Sequence, residues 1–255
     1  MPHPPSLATQ NLTLRYGRKV AVENVNLTVP AGKITALIGP SGCGKTSFLN
    51  CLNRLVELTP QAKVTGQVLL GDVDIRSIPV VTLRRRVGML FQQPNPFPLS
   101  IYENLAFPLR EHGLRDKVAI TGTIEASLRQ VGLWDEICDR LKHPALALSG
   151  GQQQRLCLAR ALALKPQVIL MDEPCSALDP LSSEIVESLM RDLRGEYTLL
   201  VVTHNLAQAR RIADQTALFW AVDGVGKLVE MGDTEQIFDQ PQDDLTAAYV
   251  TGRKG

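Results

Sequence analysis

An α/β fold with a largely parallel core sheet, an antiparallel β subdomain and a helical subdomain is predicted by three observations on this 255-residue chain. Short, wholly apolar runs alternate with helical patterns, as strands buried on both faces of a parallel sheet do. One such run leads through a glycine-rich segment into a helix. A long middle stretch carries helical periodicity with no strong strand signal.

Each element can be justified in turn. The opening Met1-Pro2-His3-Pro4-Pro5 is too polar and proline-rich for a signal peptide, so residues 1–6 are expected to be a disordered leader before one domain over 7–255. From 7 to 29, apolar positions alternate (Leu12, Leu14; Val25, Leu27, Val29), which predicts antiparallel strands about a turn at Gly17-Arg18. Residues 34–38 predict a buried strand and 46–55 a helix; a further strand pair is expected over 66–70 and 87–91. Residues 100–141 read as mostly helical, with patterns at 101–109 and 124–131, so a helical subdomain is placed at roughly 95–165. A helix over 152–164 stops at Lys165-Pro166, because proline cannot continue it. Residues 168–171 and 198–202 predict two more core strands, each followed by a helix, at 181–193 and 205–213. The stretch 217–230 predicts two strands around Asp223-Gly224. The short tail after 228 leaves little room for an added regulatory domain.

Composition narrows the functional classes. A formal net charge of +1 gives no broad electropositive surface, so no nucleic-acid partner is expected. No apolar run approaches the roughly 20 residues of a membrane-spanning helix. Cys43, Cys51, Cys138, Cys157 and Cys175 are scattered without a CxxC pair. That argues against zinc and against a disulfide framework, and most are expected to be small buried apolar residues.

The glycine-rich segment Gly39-Pro40-Ser41-Gly42-Cys43-Gly44-Lys45-Thr46, with Ser47 after it, fits GxxxxGK[ST] between a strand and a helix. Its glycines let backbone N–H groups turn toward phosphates, and the helix aims its positive end at the same anion. Lys45 supplies a point charge for the β- and γ-phosphates, and Thr46 a hydroxyl for Mg²⁺. Downstream, Asp172-Glu173-Pro174 ends an apolar strand, where ligands of open α/β sheets bind; alone it reads equally as a helix-entry turn with solvated acids. Ser149-Gly150-Gly151-Gln152 opens a helix and makes a second anion site; alone, Ser149 would be an N-cap.

Three segments occur together: the phosphate loop, Leu148-Ser149-Gly150-Gly151-Gln152-Gln153-Gln154-Arg155, and the carboxylate pair followed by Ser176-Ala177-Leu178-Asp179. Over nearly the whole chain they resemble the nucleotide-binding domain of ABC ATPases, which are P-loop NTPases. The resemblance implies ATP and Mg²⁺ as ligands, with Asp172 in the Mg²⁺ shell through water and Glu173 as the base that polarises the attacking water. It gives His204 a contact to the γ-phosphate. Residues Ser149, Gly150, Gly151 and Gln152 would bind ATP held by the other protomer of a homodimer, and Asp179 would carry communication between the two sites. Tyr16 matches the adenine platform, although as a sequence position it reads equally as an edge-strand aromatic. Gln92 matches a glutamine that touches Mg²⁺ and senses the membrane partner; Gln93 is adjacent, but Gln92 follows the predicted strand directly.

The stretch Gln92-Gln93-Pro94-Asn95-Pro96-Phe97-Pro98-Leu99-Ser100-Ile101-Tyr102-Glu103-Asn104 carries a narrower resemblance, to the ATPase subunits of bacterial phosphate-specific import systems. Residues 173–180, 249–253, 53–55 and 64–68 agree with it. It implies two membrane-embedded permease subunits docking near Gln92 to Phe107, with Phe97 and Ile101 lining the groove. It further implies an indirect partnership with a phosphate-binding protein and a peripheral place on the cytoplasmic face of the inner membrane. An ABC ATPase for another imported solute and a phosphate-status signalling ATPase are the rival readings. A soluble ABC factor is disfavoured, because the chain has neither a second nucleotide domain nor a long coiled-coil insertion.

Overall fold

The apolar runs of the sequence form the middle of one mixed sheet. The structure, a computed structural model, describes residues 3–254. In chain order the strands are β1 (Leu7–Tyr16), β2 (Lys19–Val29), β3 (Ile34–Ile38), β4 (Ala62–Leu70), β5 (Val73–Asp74), β6 (Val87–Leu90), β7 (Val168–Asp172), β8 (Thr198–Val202), β9 (Gln215–Val222) and β10 (Val225–Asp233). Side by side they run β5-β4-β1-β2-β10-β9-β3-β8-β7-β6. Strands β9, β3, β8, β7 and β6 pair in parallel. Strands β5, β4, β1 and β2 pair antiparallel, and β10 runs antiparallel to β9. One parallel register pair, Gly226 opposite Val22, joins β10 to β2. The antiparallel β subdomain is therefore continuous with the core sheet.

Alternate residues of a strand face opposite sides, so a strand covered on both sides is apolar throughout. Every residue of β3, β7 and β8 is buried. Val168 and Leu170 of β7 pack with Phe48 and Leu49 of helix α1 (Lys45–Leu52) and with Leu12 and Leu14 of β1. Ile169 and Met171 face the other way, into the helical part of the molecule. Removing each such side chain from water contributes about 1.5–3 kcal/mol.

After α2 (Val80–Arg86), that helical part is built from α3 (Ile101–Glu111), α4 (Lys117–Gln130), α5 (Trp134–Ile137) and α6 (Gly150–Ala163). Its core joins Leu105 and Leu109 of α3, Ile124 and Leu128 of α4 and Leu156, Leu158 and Leu162 of α6. Helix α4 starts earlier than its periodicity shows, because the Asp116 carboxylate accepts a hydrogen bond from the N–H of Ala119 and caps it. Helix α1 stops at Leu52, short of the predicted 55, since Arg54 turns left-handed (φ 59°) into a short 3-10 turn at Leu55–Leu58. Helices α7 (Pro180–Asp192), α8 (Leu206–Ile212), α9 (Thr234–Asp239) and α10 (Asp244–Val250) complete the chain.

Of the expected leader, Met1 and Pro2 lie outside the described residues. The next residues are tied down: the Pro5 carbonyl accepts from the Thr198 hydroxyl at 2.8 Å and the Ser6 carbonyl from the N–H of Gly71 at 2.8 Å. All five cysteines are free; Cys43, Cys51 and Cys157 are buried, Cys175 is half-buried and Cys138 is exposed. No helix of the described residues is long and apolar enough to cross a membrane.

Candidate nucleotide site

The loop between β3 and α1 is shaped by its neighbours as much as by its own sequence. Gly39 leaves β3 with φ 143°, and a Cβ there would fall 2.1 Å from the Phe219 carbonyl of β9. Gly44 caps α1 in the left-handed region at φ 101°. Only glycine meets both demands without strain. Ser41 and Gly42 are exposed at the loop's tip, beside the half-buried Pro40, whereas Cys43 turns inward. Lys45 is buried and folds back along the loop, its Nζ donating to the carbonyls of Gly39 (2.7 Å) and Pro40 (2.8 Å). The ammonium is thus held at the loop by its own backbone. Tyr16, at the end of β1, donates its hydroxyl to Ser47 Oγ at 3.4 Å, which sets the ring beside the first turn of α1.

At the far end of β7, Asp172 Oδ1 accepts a hydrogen bond from Thr46 Oγ1 at 3.2 Å, so the loop and the carboxylate are joined across 126 residues of sequence. Burial pushes the Asp172 carboxyl above its ordinary value, and although the Thr46 hydrogen bond opposes this, the negative charge of Glu173 adds to it while the Lys45 charge opposes. A carboxyl raised on folding adds stability only while protonated, and that contribution is lost as pH rises through the folded value. At neutral pH the ionised Asp172 therefore costs stability. Asp172→Asn is expected to raise the Tm of the nucleotide-free protein at pH 7, by about 2–4 °C per kcal/mol relieved. The difference should shrink as pH falls and the aspartate takes up its proton; a series of thermal melts from pH 7 downward checks it.

Glu173 adopts a left-handed backbone, φ 45°, held by its N–H donating to the Val202 carbonyl of β8 at 2.9 Å. The turn aims its carboxylate at two partners. Gln92 Nε2 lies 3.1 Å from Glu173 Oε2, and His204 Nδ1 also lies 3.1 Å from it. Of the two neighbouring glutamines, Gln92 is the one placed there. A half-buried carboxylate, a histidine at the end of β8 and an amide from beyond β6 thus converge near the parallel strands' C-terminal ends. Glu173 and His204 also border an open cavity of about 660 Å³ that runs toward α7 and α8, where Thr203 and Gln208 help line it.

The second glycine-rich segment sits on the helical part. Ser149 Oγ accepts from the N–H of Gln152 and Gln152 Oε1 from the N–H of Ser149, a reciprocal cap on α6. Gln152 Nε2 also donates to Glu136, which pairs with Arg155 at 2.8 Å. Burial works to raise the Glu136 carboxyl, but the hydrogen bonds from Arg155 and Gln152 outweigh it and hold it low. Among the described residues no hydrogen bond joins this segment to the phosphate loop. Gly151 has an internal reason to be glycine: a Cβ there would meet Ser182 Oγ of α7 at 2.5 Å, whereas one at Gly150 would meet nothing within 4 Å. Asp179 caps α7, accepting from the N–H of Ser182 (3.0 Å) and from its hydroxyl (2.6 Å).

Two departures from the sequence reading concern this region. Ile101 is fully buried in the helical core and lines no groove. The exposed apolar face after Gln92 is instead made by Phe97, Leu99 and Phe107, with the two phenyl rings edge to face at 6.0 Å. Gly226 was overlooked. A Cβ on it would fall 2.2 Å from the Cys43 carbonyl and 3.1 Å from that of Ala21, so β10 passes directly behind the phosphate loop. A glycine inside a predicted strand was the available signal, since it marks close backbone approach. Gly226→Ala is expected to displace the loop. Overpacking of about 1–3 kcal/mol, taken from binding, is about a 5- to 150-fold loss of ATP affinity. An ATP titration of the variant, with circular dichroism to confirm folding, checks this.

A glycine loop anchored by Lys45 and joined through Thr46 to Asp172, the residue before Glu173, defines a nucleotide-binding P-loop ATPase. The ABC transporter family profile matches residues 22–176, more than half of the chain, and the chain belongs to that family. It is 55% identical over 251 residues to the phosphate import ATP-binding protein PstB 1 of Nitrosococcus oceani, covering 98% of this chain and 91% of that protein. Among solved structures it is similar to a bacterial Atm1-family ABC exporter with ATP bound, with a TM-score of 0.80 and 26% identity over 98% of this chain. The chain spans 42% of that exporter's length.

Proposed function

We propose that this chain is the ATP-hydrolysing subunit of an importer of inorganic phosphate, acting as a homodimer beneath two membrane-embedded permease subunits. The observation that carries the hydrolytic part is the Glu173 carboxylate, held within 3.1 Å of both Gln92 Nε2 and His204 Nδ1. Phosphoryl transfer asks mainly for positioning and charge stabilisation. Glu173 takes the proton of the attacking water, with Gln92 and His204 fixing its orientation. Lys45, already at the loop, meets the β- and γ-phosphates in place of the Gly39 and Pro40 carbonyls, and Tyr16 stacks the adenine.

The donor set at the loop fits Mg²⁺. Thr46 Oγ1 and Asp172 Oδ1 are hard oxygens 3.2 Å apart, and such a site holds the ion with few protein ligands and the substrate's phosphates. Thr46 and Asp172 would hold the ion, which would supply neutralisation of phosphate charge.

The dimer is supported by Gly150. Among the described residues nothing lies within 4 Å of where its Cβ would be, so no packing neighbour requires it to be glycine. An approaching phosphate from another protomer supplies the reason. Phe97, Leu99 and Phe107 offer the permeases an exposed apolar seat, at the cytoplasmic face of the membrane. ATP drives the cycle because it binds the closed dimer better than the open one.

Phosphate as cargo rests on the 55% identity to a phosphate import ATP-binding protein. Phosphate uptake in cells lacking this protein, restored by wild type but not by Glu173→Gln, is the expected result. Uptake that never depended on the protein would move the cargo to another solute.

A further inference from the structure

The sequence motif that opens α6 contains a residue the proposed mechanism does not use. Gln154 is 1% exposed, so its amide has no access to solvent. Its Nε2 donates to two backbone carbonyls: Phe91, at 3.3 Å, and Pro174, at 3.1 Å. Phe91 is the residue before Gln92, and Pro174 is the residue after Glu173. Since Gln92 Nε2 meets Glu173 Oε2 at 3.1 Å, the contacts close into a ring: Gln154, Phe91, Gln92, Glu173, Pro174 and back to Gln154. Farther along α6, Arg160 Nη2 donates to the carbonyl and the side chain of Asn95 at 3.1 and 3.0 Å, with its guanidinium 4.2 Å over the Phe97 ring. The segment bearing Gln92 is therefore fastened to α6 on both sides.

Helix α6 is capped by Ser149, which lies five residues before Gln154, about 7.5 Å along a helix axis at 1.5 Å per residue. A helix of this length, packed along its whole face, moves as one body. We propose that Gln154 is a positioning residue that makes the placement of Glu173 and Gln92 depend on the seating of the Ser149 segment. This inference rests on the reading of Glu173 as the base and of the Ser149 segment as the partner's ATP contact. Its consequence is that each site hydrolyses well only when its own α6 has engaged the opposite nucleotide. Without the two N–H donors, the buried Pro174 carbonyl and the half-buried Phe91 carbonyl lose their partner and the ring opens.

Gln154→Leu keeps the volume and removes both donors. ATP affinity should be unchanged, because among the described residues no hydrogen bond of Gln154 goes to the phosphate loop, and kcat should fall about 10- to 100-fold, the scale of a misplaced catalytic group. The Hill coefficient for ATP should fall toward 1. Gln154→Glu gives the diagnostic reading. Only its protonated carboxyl can donate, to one carbonyl at a time, so its kcat should be partly restored and should rise relative to wild type as pH is lowered from 8 to 6. A purely structural residue would give such a return only in step with Tm, so the discriminating result is a kcat that recovers while Tm is already at its plateau.

The test is steady-state ATPase of the full chain with its permease partners, for wild type, Gln154→Leu, Gln154→Glu and Glu173→Gln, with Tm recorded for each. Reduced kcat at unchanged ATP affinity, with the pH-dependent return in Gln154→Glu, supports the inference. Unchanged kcat and Hill coefficient in Gln154→Leu overturns it, and so does a fall in kcat that tracks Tm, with or without a pH-dependent return. If Glu173→Gln hydrolyses like wild type, the reading of Glu173 fails first, and Gln154 loses its target with it.

Discussion

Glu173→Gln is expected to bind ATP as wild type does and to hydrolyse it about 100- to 10,000-fold more slowly, the range that a lost general base accounts for. The substitution is nearly isosteric. A glutamine carbonyl can still accept from Gln92 Nε2 and His204 Nδ1, the two groups now placed at 3.1 Å from the carboxylate. What it lacks is a place for the water's proton. The change also removes the negative charge that helps raise Asp172, so the neighbouring carboxylate ionises more readily and metal binding is not weakened. With closure intact and reopening blocked, the variant should accumulate as an ATP-bound dimer. Light scattering with and without ATP measures that accumulation, and phosphate release measures turnover. Wild-type turnover would remove Glu173 from the role of base.

Ser149→Arg is the second large effect. Ser149 is exposed at the start of α6, and its hydroxyl accepts the Gln152 N–H at 3.3 Å. Losing that cap costs the helix about 1 kcal/mol, which α6 tolerates because most of its stability comes from its buried face. ATP binding by the separate chain should be unchanged, since the segment shares no hydrogen bond with the phosphate loop among the described residues. Closure is another matter. A guanidinium in place of a small hydroxyl fills the space meant for the opposite γ-phosphate, and ATPase activity should fall at least about 100-fold, the scale for loss of one oxyanion donor. Ser149→Ala isolates the cap and should lose far less. Normal ATP-induced dimerisation by Ser149→Arg would contradict the shared site.

Much of this was legible in the sequence because its signals are local. The glycines and Lys45 of the phosphate loop follow a fixed spacing, and strand β7 announces itself as an unbroken apolar run ending in Asp172. Ser149 could be placed at a helix start from its neighbours alone. The missed features are those set by contacts between distant segments. Nothing near Gly226 in the chain says that Cys43 lies behind it. The resemblance of the segment after Gln92 puts Ile101 in a docking groove, yet the side chain is buried in the helical core with Leu105 and Leu128. Gly151 and Gly150 look equivalent in the sequence, and only the approach of Ser182 separates a packing glycine from one that serves no neighbour. Gln154 sits within a recognisable motif, but its two carbonyl partners lie 63 and 20 residues away.

The single register pair between Gly226 and Val22 is the narrowest point of the ten-stranded sheet, and it lies under the phosphate loop. Tyr16 belongs to the antiparallel side of that seam, and Asp172 to the parallel side. In the proposed pose, with the base on Tyr16 and the triphosphate at the loop beside Asp172, a nucleotide would span the seam from above. Beyond being consumed, ATP would then act as a removable crosslink between two halves of the domain, and its binding is expected to make them unfold as one cooperative unit.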